Sequence, residues 1–322
     1  MSHTLVARLI ASVFILSLVA CSTPQTRALR SSTPASLPVR FELSDVRYFP
    51  QDEYQCGPAS LAMVFQHAGI NIDPAQLKDA LYIPDKQGSL QVEMLSGTRR
   101  HGLLAYQLQP SLQHVLSEIA AGNPVVVLQN LALSWYPLWH YAVAIGYDLD
   151  KEEVILHSGA NRRLRLPLRT FENTWERSNY WAMVALPPTR LPQTATPENL
   201  IQSIVSLEHS SATSDVWPAY AAAMRRWPDN LLSKIAAGNY AYQHGNLQLA
   251  QQTFLQATLE HPDSAAAYNN LAQTLSDQGQ HEAALLAIHQ ALAIGGPLEP
   301  SVRKTLSEVE QKKRAAQSGS LK

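Results

Sequence analysis

The sequence is poor in cysteine and in charged residues. Only two cysteines, Cys21 and Cys56, occur in 322 residues, which excludes the multiple disulfides that hold small exported domains together. The net charge of −1 gives no reason to expect nucleic acid as a partner. The eleven histidines have no metal-ligand spacing, so we expect no zinc site and no cofactor. With 46% hydrophobic and 16% charged residues, the chain is typical of globular proteins, and its length suits two modest domains.

The first 21 residues have the pattern of an export signal. Arg8 precedes an apolar run over residues 9–18, which is too short to span a bilayer stably. The stretch from Leu18 to Cys21 resembles the lipobox of bacterial lipoprotein signal peptides. The resemblance implies cleavage before Cys21 and its acylation by several chains, which anchors a protein stably in a membrane. Ser22, in place of Asp, favours the periplasmic face of the outer membrane within the cell envelope. An ordinary secretory signal is the alternative.

The rest of the chain divides at segments rich in proline, serine and threonine. After a signal peptide of residues 1–20, residues 21–40 predict a flexible lipidated tether. A proline-rich linker over 189–197 then separates a mixed segment, 41–188, from a helical segment, 198–316.

The mixed segment predicts helices first and an antiparallel sheet after them, which indicates an α+β fold. One helix should begin at Cys56, because Pro58 suits a first turn. The short apolar run Val125–Leu128 has the length of a strand. The other predicted helices are 74–81, 90–101 and 112–121, and the other predicted strands are 103–108, 140–147, 154–158 and 180–186.

The helical segment repeats itself every 34 positions. Gly245, Ala250, Phe254 and Ala257 recur as glycine, alanine, isoleucine and alanine 34 residues later. This period, with small residues where two helices touch, resembles tetratricopeptide repeats and implies three repeats with a capping helix over 298–309. Such stacks present a concave groove, so we expect a protein partner or a substrate there. A generic helical bundle is the alternative.

Two motifs carry a resemblance to an enzyme family. The first is Gln51 followed by the octapeptide Cys56–Met63, CGPASLAM, and the second is His140–Tyr147, HYAVAIGY. Together with Gly122-Asn123-Pro124, they resemble papain-like cysteine peptidases, and most closely the bacteriocin-processing, double-glycine branch, over about residues 45–188. The resemblance implies a papain-like α+β domain, followed here by the all-α repeat domain. The chain has no ATPase motif and no multi-span membrane segment, so it is not the exporter-fused form of that branch.

The residue types suit amide hydrolysis. A thiolate is the nucleophile, and the start of a helix favours the anion at Cys56. An imidazolium at His140 would lower the thiol pKa further and protonate the leaving amine. The Gln51 amide and the Cys56 N–H are the candidate oxyanion donors. A buried helix cysteine and a strand histidine without a catalytic role remain the alternatives.

The third triad position departs from the family pattern. Relatives have Asp or Asn at the end of the strand after the histidine, whereas this strand ends in His157-Ser158. Ser158 lies at the usual position and His157 beside it, so both are candidates, and Asp148 and Asn161 are outside candidates. Replacing the orienting Asp of serine peptidases costs about four orders of magnitude in rate, so efficiency is in question.

The expected function is hydrolysis of peptide bonds in an exported protein or peptide by a lipid-anchored cysteine peptidase. The expected contacts are a peptide or protein substrate, a protein partner at the repeats, and a membrane at the lipid. One alternative is an inactive papain-like binding module in an envelope complex, and another is an amidase or acyl transferase acting on cell-wall peptides. Trp135, Tyr136 and Trp139 precede the histidine and either line a substrate cleft or pack in the core.

Overall fold

The computed structural model describes residues 23–32, 34–50, 55–83, 88–210 and 215–319. Cys21 and Gln51, the predicted lipidation and oxyanion residues, lie outside these ranges. The chain forms two compact units: the first extends to Pro187 and includes Pro192–Ala195, and the second contains Pro188–Leu191 and everything from Thr196. Over the ranges just given, no helix is both long and apolar enough to cross a membrane.

The first unit is an α+β domain with an antiparallel sheet, as the sequence predicted. The sheet has seven strands in the order β2-β7-β3-β4-β5-β6, and β1 pairs with β4. The strands are β1 Arg40–Glu42, β2 Leu104–Gln107, β3 Val125–Asn130, β4 Trp139–Asp148, β5 Glu153–Ser158, β6 Asn161–Pro167 and β7 Ala182–Leu186. The helices are α1 Pro24–Ser31, α2 Cys56–His67, α3 Pro74–Leu81, α4 Gln91–Arg100, α5 Leu112–Ala120 and α6 Leu168–Glu176.

Strand β4 organises the sheet because it lies at the centre and is buried from Tyr141 to Asp148. Its first residues pair with the end of β3, where Gln129 faces His140. The start of β7 at Ala182 reaches the same end of the sheet, because Val127 pairs with it. Strands β3 and β5 end here, and strands β4 and β7 begin here. We call this end of the strands the His140 end of the sheet.

Helix α2 holds Cys56 at its first residue. Every residue from Gly57 to Phe65 is buried, so the helix is fixed on all sides by packing. Gly57 is required at its start, because a Cβ there would lie 2.4 Å from the Ser89 Oγ. The absence of a side chain at Gly57 therefore lets the start of α2 approach Ser89 closely.

The tether predicted over residues 21–40 is wrong for part of its length. Residues Pro24–Ser31 form helix α1, which packs against α5 and α6. The Glu172 carboxylate accepts hydrogen bonds from the N–H groups of Gln25 and Thr26, at 2.9 and 2.7 Å, and from the Thr26 hydroxyl. A carboxylate at a helix N-terminus satisfies unpaired donors and complements the helix dipole. Local composition did not reveal this contact because Glu172 lies 146 residues away from Thr26.

The second unit is a helical repeat region, as predicted. The helices are α7 Pro197–Ser210, α8 Trp217–Arg226, α9 Leu231–Gln243, α10 Leu247–Glu260, α11 Ala265–Asp277, α12 His281–Ile294 and α13 Glu299–Gly319. Helices α7, α9, α11 and α13 begin 34 residues apart. Gly245 and Gly279 turn the chain between paired helices with φ of 74° and 76°, a conformation that glycine adopts without strain. Apolar side chains from α9 to α13 form one core.

Candidate active site

The candidate site lies at the His140 end of the sheet. His140 is the second residue of β4, and Ser158 is the last residue of β5. The His140 Nε2 lies 2.9 Å from the Ser158 Oγ, within hydrogen-bond distance. Ser158 is buried, so water competes little for this hydrogen bond. The structure therefore brings together two of the residues that the sequence singled out.

A backbone irregularity lies where β5 ends beside the histidine. The pairing of β5 with β6 shifts register between Leu156 and Ser158, where an extra residue is accommodated. Gly159 then turns the chain with φ of 58°. The shift and the turn end β5 at Ser158.

The structure does not bring His157, the other candidate, to His140. The His157 Nε2 lies 3.1 Å from the Val46 carbonyl, and its Nδ1 accepts the Arg163 N–H at 3.2 Å. Because Nδ1 accepts, Nε2 carries the proton and donates to Val46, so both ring nitrogens are used. Adjacent residues of a strand point to opposite faces, which explains why Ser158 and not its neighbour reaches the imidazole.

The two outside candidates are also placed elsewhere. Asp148 is the last residue of β4, at the opposite end from His140, where its carboxylate accepts the Lys151 N–H. Asn161 begins β6 and is exposed to solvent. In the described ranges, no carboxylate hydrogen-bonds to the His140 ring.

Cys56 is partly buried beside the start of β4, near the N–H of Tyr141. The pKa of its thiol is raised by burial, which disfavours the charged thiolate. Three backbone N–H groups, those of Tyr141, Gly57 and Cys56 itself, oppose this effect and lower the pKa. Burial has the larger effect, so the thiol is the favoured form in the resting protein.

Burial also disfavours the charged form of His140. It lowers the pKa of the imidazole to about 4, because the charged ring loses hydration. No contact among the described residues joins the Cys56 sulfur to His140 by a hydrogen bond. Both groups are therefore neutral near pH 7, whereas the sequence led us to expect a thiolate–imidazolium pair.

The sequence analysis missed Tyr141 as a neighbour of the sulfur. Its hydroxyl donates to the Ser89 carbonyl at 3.2 Å, and burial together with the nearby charge of a Cys56 thiolate raises its pKa. The signal was present in the sequence, since Tyr141 follows His140 directly, but an aromatic residue in an apolar strand predicts core packing.

The aromatic residues before the histidine do not lie in the core. Trp135 is 80% exposed and Tyr136 is 78% exposed, in the connection between β3 and β4. They are part of an apolar surface next to the site. Among the residues described, no group of His, Cys, Asp and Glu is arranged to hold a metal ion.

Comparison with known proteins agrees with this architecture. Residues 43–183 match the family model described as "Peptidase_C39 like family", and residues 253–285 match the tetratricopeptide repeat. No curated protein matches the chain.

Solved structures also match the first unit. One is a C39-like peptidase from Bacillus anthracis, at 20% identity, with 46% of this chain and 97% of that chain covered and a TM-score of 0.39. Another is the peptidase domain of Streptococcus ComA, described as a bi-functional ABC transporter of a quorum sensing pathway. It has 20% identity, coverage of 44% of this chain and 98% of that chain, and a TM-score of 0.37. The chain therefore carries an N-terminal C39-like α+β domain followed by a C-terminal tetratricopeptide repeat region.

Proposed function

We propose that the protein is a lipid-anchored cysteine peptidase that hydrolyses peptide bonds with Cys56 as nucleophile and His140 as base. The observation that carries the proposal is the arrangement at the His140 end of the sheet. Cys56 begins a helix beside the N–H of Tyr141, and the residue before Tyr141 is a histidine whose ring is held by Ser158 at 2.9 Å.

The reaction begins from a neutral pair. As the substrate carbonyl approaches, the Cys56 thiol gives its proton to His140, and the sulfur forms a bond to the carbonyl carbon. Negative charge then develops on the carbonyl oxygen. The Cys56 N–H is one donor of a hydrogen bond to this oxygen, and the side-chain amide of Gln51 is the second candidate donor. Each donor supplies about 3 kcal/mol of transition-state stabilisation.

The histidine next acts as an acid. It passes its proton to the amine as the carbon–nitrogen bond breaks, leaving a thioester on Cys56. A water molecule then gives a proton to the imidazole while its oxygen bonds to the thioester carbon. The carbon–sulfur bond breaks, the acid is released, and the imidazolium returns the proton to the sulfur, which restores the thiol and the neutral ring. Atoms and charge balance without a cofactor.

Ser158 serves as a positioning residue in this proposal. When the Nε2 of His140 carries a proton, it donates to the Ser158 Oγ, and Nδ1 is left free to act as the base. A hydroxyl can also donate, which would favour the other tautomer. Ser158 therefore holds the ring in place without fixing its protonation as a carboxylate does.

The membrane and the repeats complete the proposal. The lipobox-like stretch ending at Cys21 supports acylation and a location at the periplasmic face of the outer membrane, and the tetratricopeptide repeats support binding of a protein partner or the substrate. Labelling with a palmitate analogue should mark the wild type and not Cys21→Ala. Equal labelling of both proteins would refute the anchor.

Peptidase activity is tested with a peptide library and mass spectrometry of the products. Wild type should cleave internal peptide bonds and react with a thiol-directed probe, and Cys56→Ser, which keeps the side-chain shape, should do neither. Wild-type cleavage that persists in Cys56→Ser would reject Cys56 as the nucleophile. Products that carry an added acyl acceptor would instead indicate the transferase, and release of ammonia or a cell-wall peptide would indicate the amidase.

An inactive binding module is the second candidate, and one observation favours it. The family's orienting carboxylate is replaced by Ser158, and burial favours the neutral forms of both Cys56 and His140. Under this candidate, the probe labels wild type no faster than a free thiol of equal exposure, no peptide is cleaved, and the repeats still bind their partner.

A further inference from the structure

An apolar loop projects from the His140 end of the sheet. It consists of residues 131–138, which connect β3 to β4, together with Trp139, the first residue of β4, and we call it the apolar loop. It exposes an unusual number of large apolar side chains for a segment of nine residues. Those at least 45% exposed are Leu131, Leu133, Trp135, Tyr136, Leu138 and Trp139.

The loop is held in this conformation by polar contacts at its base. The Asn130 carboxamide oxygen accepts the N–H groups of Ala132 and Leu138, at 3.1 and 2.9 Å. The Arg177 guanidinium donates to the carbonyls of Asn130 and Ala132. A backbone bond from the Tyr136 N–H to the Leu133 carbonyl closes the turn at its tip. The exposure of the aromatic side chains is therefore a built feature and not the result of a loose segment.

The described chain begins at the same end of the sheet. Gln25, in the first turn of α1, accepts the N–H of Leu112 through its side-chain oxygen. Leu112 begins α5, shortly after β2 ends at Gln107, and Gln107 pairs with Met183 near the start of β7. The N-terminus of α1 is therefore at the His140 end, where the apolar loop also lies.

Helix α6 contacts both the first turn of α1 and the base of the apolar loop. Glu172 on α6 binds the first turn of α1, and Arg177, which follows the helix, binds the base of the apolar loop. Five helical residues span about 7.5 Å. The beginning of α1 and the base of the loop are thus neighbours on one side of the domain.

Only a short stretch of chain separates the proposed lipid site from the domain. Cys21 lies two residues before Thr23, and two residues of extended chain reach at most about 7 Å. Thr23 is buried in the domain, since its exposed fraction is 5%. Acyl chains on Cys21 would therefore bring a bilayer to the His140 end of the sheet, with no long tether between.

We propose that the apolar loop docks into the surface of the lipid bilayer in which Cys21 is anchored. The inference rests on the lipid anchor of the proposed function. Trp and Tyr prefer the interface between headgroups and acyl chains, and leucines bury apolar area below it. The docked loop holds the domain at a fixed orientation, with His140, the residue after Trp139, close to the membrane surface. Substrates are then taken from polypeptide at that surface.

The experiment uses the full lipidated chain in vesicles of phosphatidylethanolamine and phosphatidylglycerol with brominated acyl chains, which quench tryptophan emission on contact. Two of the six tryptophans, Trp135 and Trp139, lie in the loop, so docking should quench up to about a third of the emission. Trp135→Phe removes one reporter but keeps an apolar ring, and it should lower the quenched fraction by about half. This residue is exposed, so the variant is expected to fold.

Val39→Trp, made in the Trp135→Phe protein, is the matched control. Val39 is also exposed, but its carbonyl accepts the Leu149 N–H beyond the opposite end of β4. This new tryptophan should not restore quenching by bromolipid and should be quenched by iodide from water. Equal quenching at both positions, or a loop tryptophan reached by iodide alone, would overturn the docking and leave a protein partner or substrate as the occupant.

Mass spectrometry of the purified chain separates the two proposals. A chain without acyl groups overturns the anchor and the docking together. A lipidated chain whose loop stays in water overturns the docking alone.

Discussion

A carboxylate at position 158 is the most informative change to the candidate site. The Ser158 hydroxyl lies 2.9 Å from the His140 Nε2, so the side chain of Ser158→Asp would reach the ring with a negative charge. An opposite charge at this distance favours the imidazolium and raises the histidine pKa by about 1 to 3 units. The imidazolium in turn favours a Cys56 thiolate.

The size of the expected increase in Cys56 reactivity follows from the pKa of His140 in the wild type. Burial lowers the His140 pKa to about 4, so at pH 7 roughly one ring in a thousand is protonated. A rise of the pKa to between about 5 and 7 increases that population about 10- to 500-fold. Part of the gain is lost because the new carboxylate is itself buried at this position. We therefore expect alkylation of Cys56 at pH 6 to accelerate by about 10-fold or more.

The assay is the rate of reaction with iodoacetamide between pH 5 and pH 9, compared with a model thiol of matched pKa. A low-pKa thiolate is also a weaker nucleophile, and the comparison corrects for this. Ser158→Asn is the control, because asparagine has nearly the same shape as aspartate but no charge. Ser158→Ala removes one hydrogen bond between neutral groups, worth about 0.5 to 1.5 kcal/mol, and should reduce peptide cleavage only about 2- to 10-fold.

Either of two results would refute this reasoning. If Ser158→Asp and Ser158→Asn give the same pH profile, the side chain at position 158 does not control the charge of His140. If wild type already alkylates rapidly at pH 6 and His140→Ala abolishes this, the ion pair exists without a carboxylate, and burial does not dominate as we infer.

Three further predictions concern stability. The folded pKa of His140 is depressed, so its contribution is present above about pH 6.5 and is lost as the pH falls toward 4, by about 2 kcal/mol at pH 5; across this window the free energy of unfolding in urea should fall more steeply with pH in wild type than in His140→Gln, and equal slopes would contradict the depressed pKa. Glu172→Gln keeps the shape but removes the charge that binds α1, so amides of residues 25–31 should exchange at least 10-fold faster, and unchanged protection would contradict the role of this contact. Phe254→Ala empties a buried position and should cost about 3 to 5 kcal/mol in calorimetry, whereas Leu259→Ala, on the same helix but 75% exposed, should stay within about 0.5 kcal/mol; similar losses for both would reject the repeat core.

Much of the fold follows from short-range patterns in the sequence. Helix α3 occupies the predicted residues 74–81, and the predicted strand 140–147 differs from β4 by one residue at each end. The 34-residue period predicted the stack of paired helices, because each repeat places small residues where its own neighbours approach. Such signals are visible because the interacting residues are close in the chain.

Contacts between distant residues could not be predicted in this way. Residues 24–31 have the composition of a tether, and contacts with residues far along the chain, such as Glu172 and Leu112, hold them as a helix on the domain. Helix α6 was not predicted, although its apolar residues Leu168, Phe171 and Trp175 have helical spacing in the sequence; so short a helix is stable only because it packs on the sheet.

For the candidate site, the sequence by itself determined the residue types and the order of Cys56, His140 and Ser158; their catalytic roles remain predictions. Only the tertiary structure decided that Ser158, and not His157, meets the imidazole, because the register of β5 against β4 determines which of the two side chains lies beside the start of β4. It also decided that burial favours neutral forms of the thiol and the imidazole. Hydration of a charged group depends on everything packed around it, and that packing exists only once the chain has folded.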